Sequence, residues 1–141
     1  MKTRYLFIMA CAGLLLCLFT CKKDDNSINL SAITGKWNVV SDSTYVGVGV
    51  ANHAVNYSGH PGDYFTFTTN GNIYTKEGAV LDTLNYNFVT DTGMVISAFG
   101  IVANGTPSVS RVKFTANSLV ITSAKVITPG GVFWRKASLT R

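Results

Sequence analysis

From Gly35 to the end of the chain, apolar and polar residues alternate in short runs; they do not recur every three or four positions. Tyr64, Thr66 and Thr68 interleave with Phe65 and Phe67. Asn85 and Asn87 interleave with Leu84, Tyr86 and Phe88, and Arg111 and Lys113 with Val112 and Phe114. A period of two puts each set on one face of a strand, one face dry and the other wet, as in an antiparallel meander. No stretch of about 11 residues or more carries a helical period. The pattern predicts eight strands, over 36–45, 63–69, 72–77, 84–90, 94–99, 108–115, 118–124 and 132–140. Thr, Val, Ile, Tyr and Phe dominate them, and Gly, Asn, Asp and Pro punctuate them. Asn70-Gly71 predicts a tight primed hairpin with positive φ at both residues. Asp91-Thr92-Gly93, Ala116-Asn117-Ser118 and Thr128-Pro129-Gly130-Gly131 supply further turns. The fold class expected is all-β, a small antiparallel up-and-down eight-stranded barrel, because closure removes exposed sheet edges. A β-sandwich is the rival architecture. A barrel of eight strands is just wide enough to be filled by side chains or to hold one small ligand.

The first 20 residues follow a different pattern. Met1 to Arg4 is short and basic, and Tyr5 to Thr20 is an apolar run without a charge. That run is shorter than the ~20 residues a helix needs to cross a bilayer, and Lys22-Lys23-Asp24-Asp25 stops it abruptly. The pattern predicts a removable export signal over 1–20. Leu18-Phe19-Thr20-Cys21 resembles the lipobox of bacterial lipoproteins, in which the Cys thiol receives a diacylglycerol, the leader is cut away, and the new amino group is acylated with a fatty acid such as palmitate. Cys11 and Cys17 sit inside the apolar run, whereas Cys21 stands at its polar border. The resemblance implies that Cys21 anchors the chain in the cell outer membrane, with residues 21–34 as lipidated Cys and tether. One acyl chain binds a membrane only marginally, and two or three hold it stably. Cys-Lys-Lys-Asp-Asp is also similar to the tethers of surface-displayed lipoproteins in Bacteroidota. A generic polar linker reads equally well, so periplasmic and surface-exposed placements both stay open.

Gly35-Lys36-Trp37, at the head of the first strand, resembles the Gly-x-Trp signature of lipocalins. In that family the Trp closes the base of the barrel beneath an Arg from near the chain end, a contact worth about 0.5–2 kcal/mol as the guanidinium is desolvated over the indole. The resemblance implies Gly35, Trp37 and Arg141 as the barrel-closing set, with Arg135 as the other candidate cation. It extends over the domain 35–141 as a likeness to small lipocalin-like domains of bacterial lipoproteins. Tyr64 to Gly71, Leu84 to Phe88 and Asn117 to Ile121 carry it, followed by a last strand ending in Arg.

Charge and chemistry narrow the function classes. Without the leader, ten Lys and Arg face seven Asp and Glu, so the formal charge drops from +5 to +3. There is no basic run interleaved with stacking aromatics, and no nucleic-acid partner is expected. All three cysteines fall within the first 21 residues, which leaves the exported domain no disulfide and no thiolate metal site. The uncharged stretch 46–62 predicts a loop at the barrel mouth, with Tyr57, Tyr64 and Tyr74, together with Phe65 and Phe67, as lid or pocket lining. His53, His60 and Asp63 lie in or beside it, but their spacing matches no ligand pattern, so neither a metal nor another cofactor is expected. Glu77 is the only Glu, and no nucleophile elbow or phosphate-binding loop is present. No enzyme activity is expected. The reading is a membrane-anchored lipoprotein whose barrel binds a small hydrophobic ligand. The alternative is a structural or accessory envelope lipoprotein that binds another protein.

Overall fold

The computed structural model describes residues 30–44, 56–100, 102–103, 105–128 and 131–141. The leader, Cys21 and most of the tether lie outside these residues, as does the loop from 45 to 55. Within the stretch expected as tether, four residues form a one-turn helix, α1 (Leu30–Ile33), which buries Ile33. The strands are β1 (Gly35–Thr44), β2 (Asn56–Ser58), β3 (Tyr64–Phe67), β4 (Asn72–Glu77), β5 (Val80–Thr90), β6 (Gly93–Ile96), β7 (Val102–Ala103), β8 (Thr106–Pro107), β9 (Val109–Phe114), β10 (Ser118–Thr122), β11 (Val126–Thr128), β12 (Gly131–Phe133) and β13 (Arg135–Thr140).

Eight of them form a closed antiparallel barrel in the order β1-β3-β4-β5-β6-β9-β10-β13, sealed by β1 against β13. These eight correspond to the eight runs of alternation. β2 lies beside the upper part of β1, pairing Ser41 with Ser58 and Ser43 with Asn56. β7–β8 and β11–β12 are two small hairpins in the connections above the barrel. The run read as one strand over 132–140 is therefore two, broken at Trp134. Likewise the strand expected over 94–99 ends at Ile96, and Ala98 turns through a φ of 54 before Phe99 enters the core. The barrel closes with strands drawn entirely from the chain beyond Leu30.

The β3–β4 turn corrects one expectation. Asn70 keeps an ordinary φ, and only Gly71, at φ 81, takes the left-handed conformation. Thr68 and Asn72 pair across a three-residue loop, with Thr68 N–H donating to Asn72 O at 2.9 Å. The extra residue lets the turn match the strand twist with a single left-handed position, at the residue lacking a Cβ.

Inside, the base of the barrel is apolar. Trp37, Phe65, Phe67, Ile73, Leu84, Leu119 and Leu139 are all buried there. Phe67 meets Tyr86 edge-on with ring centroids 5.4 Å apart, and Trp37 meets Phe114 at 5.8 Å. Such edge-to-face pairs add about 0.5–1.5 kcal/mol beyond the area they bury.

Candidate functional site

Two constellations occupy the two ends of the barrel. At the base, Trp37 points inward from β1, and its indole N–H donates to Ile33 O at 2.7 Å, which fixes α1 as a plug. The Arg141 guanidinium lies 3.9 Å from the Trp37 ring centroid and donates from Nη2 to Thr34 O at 2.8 Å. Gly35, at φ 114, passes directly beneath that guanidinium. Gly35, Trp37 and Arg141 thus meet in one contact, and it is Arg141, not Arg135, that covers the indole.

Arg135 belongs to the other end. It points inward from β13, in phase with Ala137 and Leu139, and is fully buried. Asp42, also fully buried, accepts from Arg135 Nε at 2.9 and 3.1 Å and from Nη2 at 2.6 Å. Glu77, inward on β4, accepts from the same Nη2 at 3.3 Å. The guanidinium stacks 4.6 Å from the Phe99 centroid, and Ser123 Oγ accepts the Arg135 backbone N–H. Two carboxyl groups share one cation in a dry space. Burial, and then the charge of Asp42, push Glu77 up to about 8, against the opposing pull of Arg135. A bridge built from charges this deep costs desolvation that its own attraction offsets only when the geometry is good.

A polar latch closes the wall beside this cluster. Asp63 precedes β3 and is buried. It accepts from Tyr57 Oη at 2.6 Å, from the His60 N–H at 2.8 Å and from the Gly78 N–H at 2.8 Å. Burial alone would push its carboxyl up, but these three donors outweigh burial and hold it below its ordinary value. Tyr57 is pushed up to about 12 by its own burial, by that hydrogen bond, and by the charges of Asp63 and Glu77. β2, the turn before β3 and the β4–β5 turn are tied together through one carboxylate.

The expected pocket lining separates into three places. Phe65 and Phe67 face inward, but as fully packed core and not as the wall of a cavity. Tyr57 stands at the mouth in the latch. Tyr64 and Tyr74 face outward, away from the barrel interior. They border an external concavity of ≈ 510 Å³ with Leu81, Asp82 and Thr83, and Lys36 Nζ lies 4.9 Å from the Tyr64 centroid. A second external groove, ≈ 580 Å³, lies at the base between Leu30, Tyr86, Phe88 and Val89. Cys21 and His53 lie outside the described residues. His60 is committed to Tyr57, with its ring Nδ1 3.1 Å from the phenol oxygen. Among the described residues no three His, Cys, Asp or Glu are grouped to hold a metal ion. No family model, curated protein or solved structure matches the chain.

Sequence reasoning missed the Asp42–Glu77–Arg135 cluster. A signal was present for two of its members: Glu77 shares parity with Ile73 and Thr75, and Arg135 with Ala137 and Leu139. Asp42 was hidden by the register shift between Val39 and Ser41, which moves it onto the inward face.

Proposed function

We infer that the protein is a lipoprotein anchored through Cys21 in the outer membrane. In this reading its lipocalin-like barrel is a rigid accessory module that binds other envelope components through its outside. The observation that carries the barrel's role is a filled interior. Trp37, Phe65, Phe67 and Phe99 occupy the space a carrier would leave for its cargo, and the fully buried Arg135 and Asp42 block the mouth end. Interiors packed to this degree hold few voids larger than a water molecule. The ≈ 580 Å³ groove at the base, which falls within the size range of ligand sites, is an alternative seat for a small apolar guest.

Two measurements test the reading. Native mass spectrometry of the chain from residue 22 onward, purified from its own host, is expected to give the bare polypeptide mass. A stoichiometric small molecule would overturn the accessory role in favour of a carrier. For the anchor, Cys21→Ala is expected to block lipid attachment and leave unprocessed precursor. Unchanged processing with unchanged membrane partition would sink the lipoprotein reading.

A further inference from the structure

The buried ion cluster changes what the outside of the barrel presents. Among the described residues, Asp42, Asp63 and Glu77 are buried, whereas Arg135 is the only buried cation. Seven Lys and Arg are left outside against two carboxylates, Asp82 and Asp91. Those two carboxylates lie on β5 and in the turn after it. The wall of β9, β10 and β13 carries no carboxylate of its own on its outer face. Asp91 stands beside the edge of β9, in the turn whose Thr92 O accepts the Val112 N–H at 2.8 Å.

The cations of that wall are grouped. Arg111 and Lys113 are exposed on β9, and Lys136 is exposed on β13. Thr122 of β10 pairs with Arg111 on one side and with Lys136 on the other. Arg111 and Lys136 therefore stand two strand spacings apart, roughly 10 Å, and Lys113 stands about 7 Å along the strand from Arg111. That is about one Debye length at physiological salt, so the three fields add. The outward hydroxyls between them, Thr122 and Ser138, can donate to phosphate oxygens. None of the outward residues of the wall is a Phe, Tyr or Trp on which a nucleic-acid base would stack.

We propose that the β9–β10–β13 wall docks on an anionic lipid surface, with headgroup phosphates seated on Arg111, Lys113 and Lys136. The choice of a lipid surface rests on the lipoprotein reading above. Lys136 pairs with Ser43, eight residues or about 26 Å along β1 from Gly35, and the eight residues between Cys21 and Leu30 extend at most about 29 Å, so the tether lets this wall lie along the bilayer.

The test uses the unlipidated chain from residue 22 onward, whose barrel closes without the leader. It is sedimented with vesicles of phosphatidylcholine alone or with about 30 mol % phosphatidylglycerol. The expected result is binding to the anionic vesicles only, lost when salt is raised from about 0.05 M to about 0.5 M. Arg111→Gln/Lys113→Gln/Lys136→Gln is expected to lower the partition coefficient about a hundredfold, at about 1 kcal/mol per basic residue. Lys76→Gln, on another wall, is expected to change it by less than about twofold. Thermal melts verify that each variant is folded, and the Arg111→Gln/Lys136→Gln pair replaces the triple variant if that one is not. Equal binding by the folded variant, equal binding to neutral vesicles, or tighter retention on a duplex oligonucleotide overturns the proposal. Because this chain lacks the acylated Cys, such a failure leaves the Cys21 anchor untouched, and a failure of the anchor leaves the vesicle result readable.

Discussion

Glu77→Gln is expected to make the protein's stability less sensitive to alkaline pH. Glu77 titrates at about 8 in the folded protein, against 4.5 for an ordinary glutamate. The folded state therefore holds this proton across a window in which the unfolded chain releases it. Below the ordinary value the group's contribution is intact; it is lost progressively as pH rises towards 8. At about 1.36 kcal/mol for each pH unit the loss reaches roughly 3–5 kcal/mol, a large share of the 5–15 kcal/mol typical of whole domains. The side chain is almost fully buried, so water screens little of this. A Gln amide keeps the shape and the donor but cannot ionise. The two proteins should have similar urea midpoints near pH 4.5 and diverge steadily above it. By pH 9 the variant should lead by roughly 2 M urea, taking a slope near 2 kcal/mol per molar. Fluorescence of the buried Trp37 reports the transition. Asp63 and the other titrating groups remain in both proteins, so the difference isolates Glu77. Parallel midpoints across the whole range would mean that Glu77 ionises like a solvated carboxyl, and the dry cluster would have to be abandoned.

The base and the mouth offer further tests. Arg141→Ala removes the cation over Trp37 and the bond to Thr34. It is expected to cost about 0.5–2 kcal/mol, with Arg141→Lys recovering only part because an ammonium does not stack as a plane. A wild-type melt for Arg141→Ala would deny the contact any energetic weight. Gly59→Ala places a Cβ 1.9 Å from Val39 O, a backbone atom that cannot swing aside. Overpacking of this kind costs about 1–3 kcal/mol or more, and hydrogen exchange should accelerate first at Asn56 to Ser58 as β2 leaves β1. Unchanged exchange there would show that the approach of the two backbones is looser than it stands.

The barrel was legible because its strands have one dry face, and dryness at every second residue leaves a mark in the chain. Phe65 and Phe67 against Tyr64 and Thr66 assigned sides correctly. β2, β7, β8, β11 and β12 left no such mark, since two or three residues cannot display a period. The base contact was readable only through the resemblance to the Gly-x-Trp signature; the pairing of β1 with β13 is what brings Trp37 and Arg141 together. The mouth cluster was not, because a charge at an inward position is assigned outward until its partner is known, and these partners are up to 93 residues apart.

The same cluster explains why net charge read from composition misjudged the surface. A formal charge of +3 suggests a nearly neutral exterior only if acids and bases are exposed alike. Here one guanidinium draws two carboxyl groups into the barrel, Asp42 and Glu77, and the latch draws in a third, so the interior carries the acid and the outside keeps the base. A group that the fold neutralises inside is invisible to a partner. The field a partner meets is set by Arg111, Lys113 and Lys136, whose wall of three strands carries no outward carboxylate of its own, against Asp91 at the edge of β9. The proposed preference for an anionic surface thus depends on interior packing: loss of Arg135 would destabilise the barrel by leaving Asp42 and Glu77 buried without their cation.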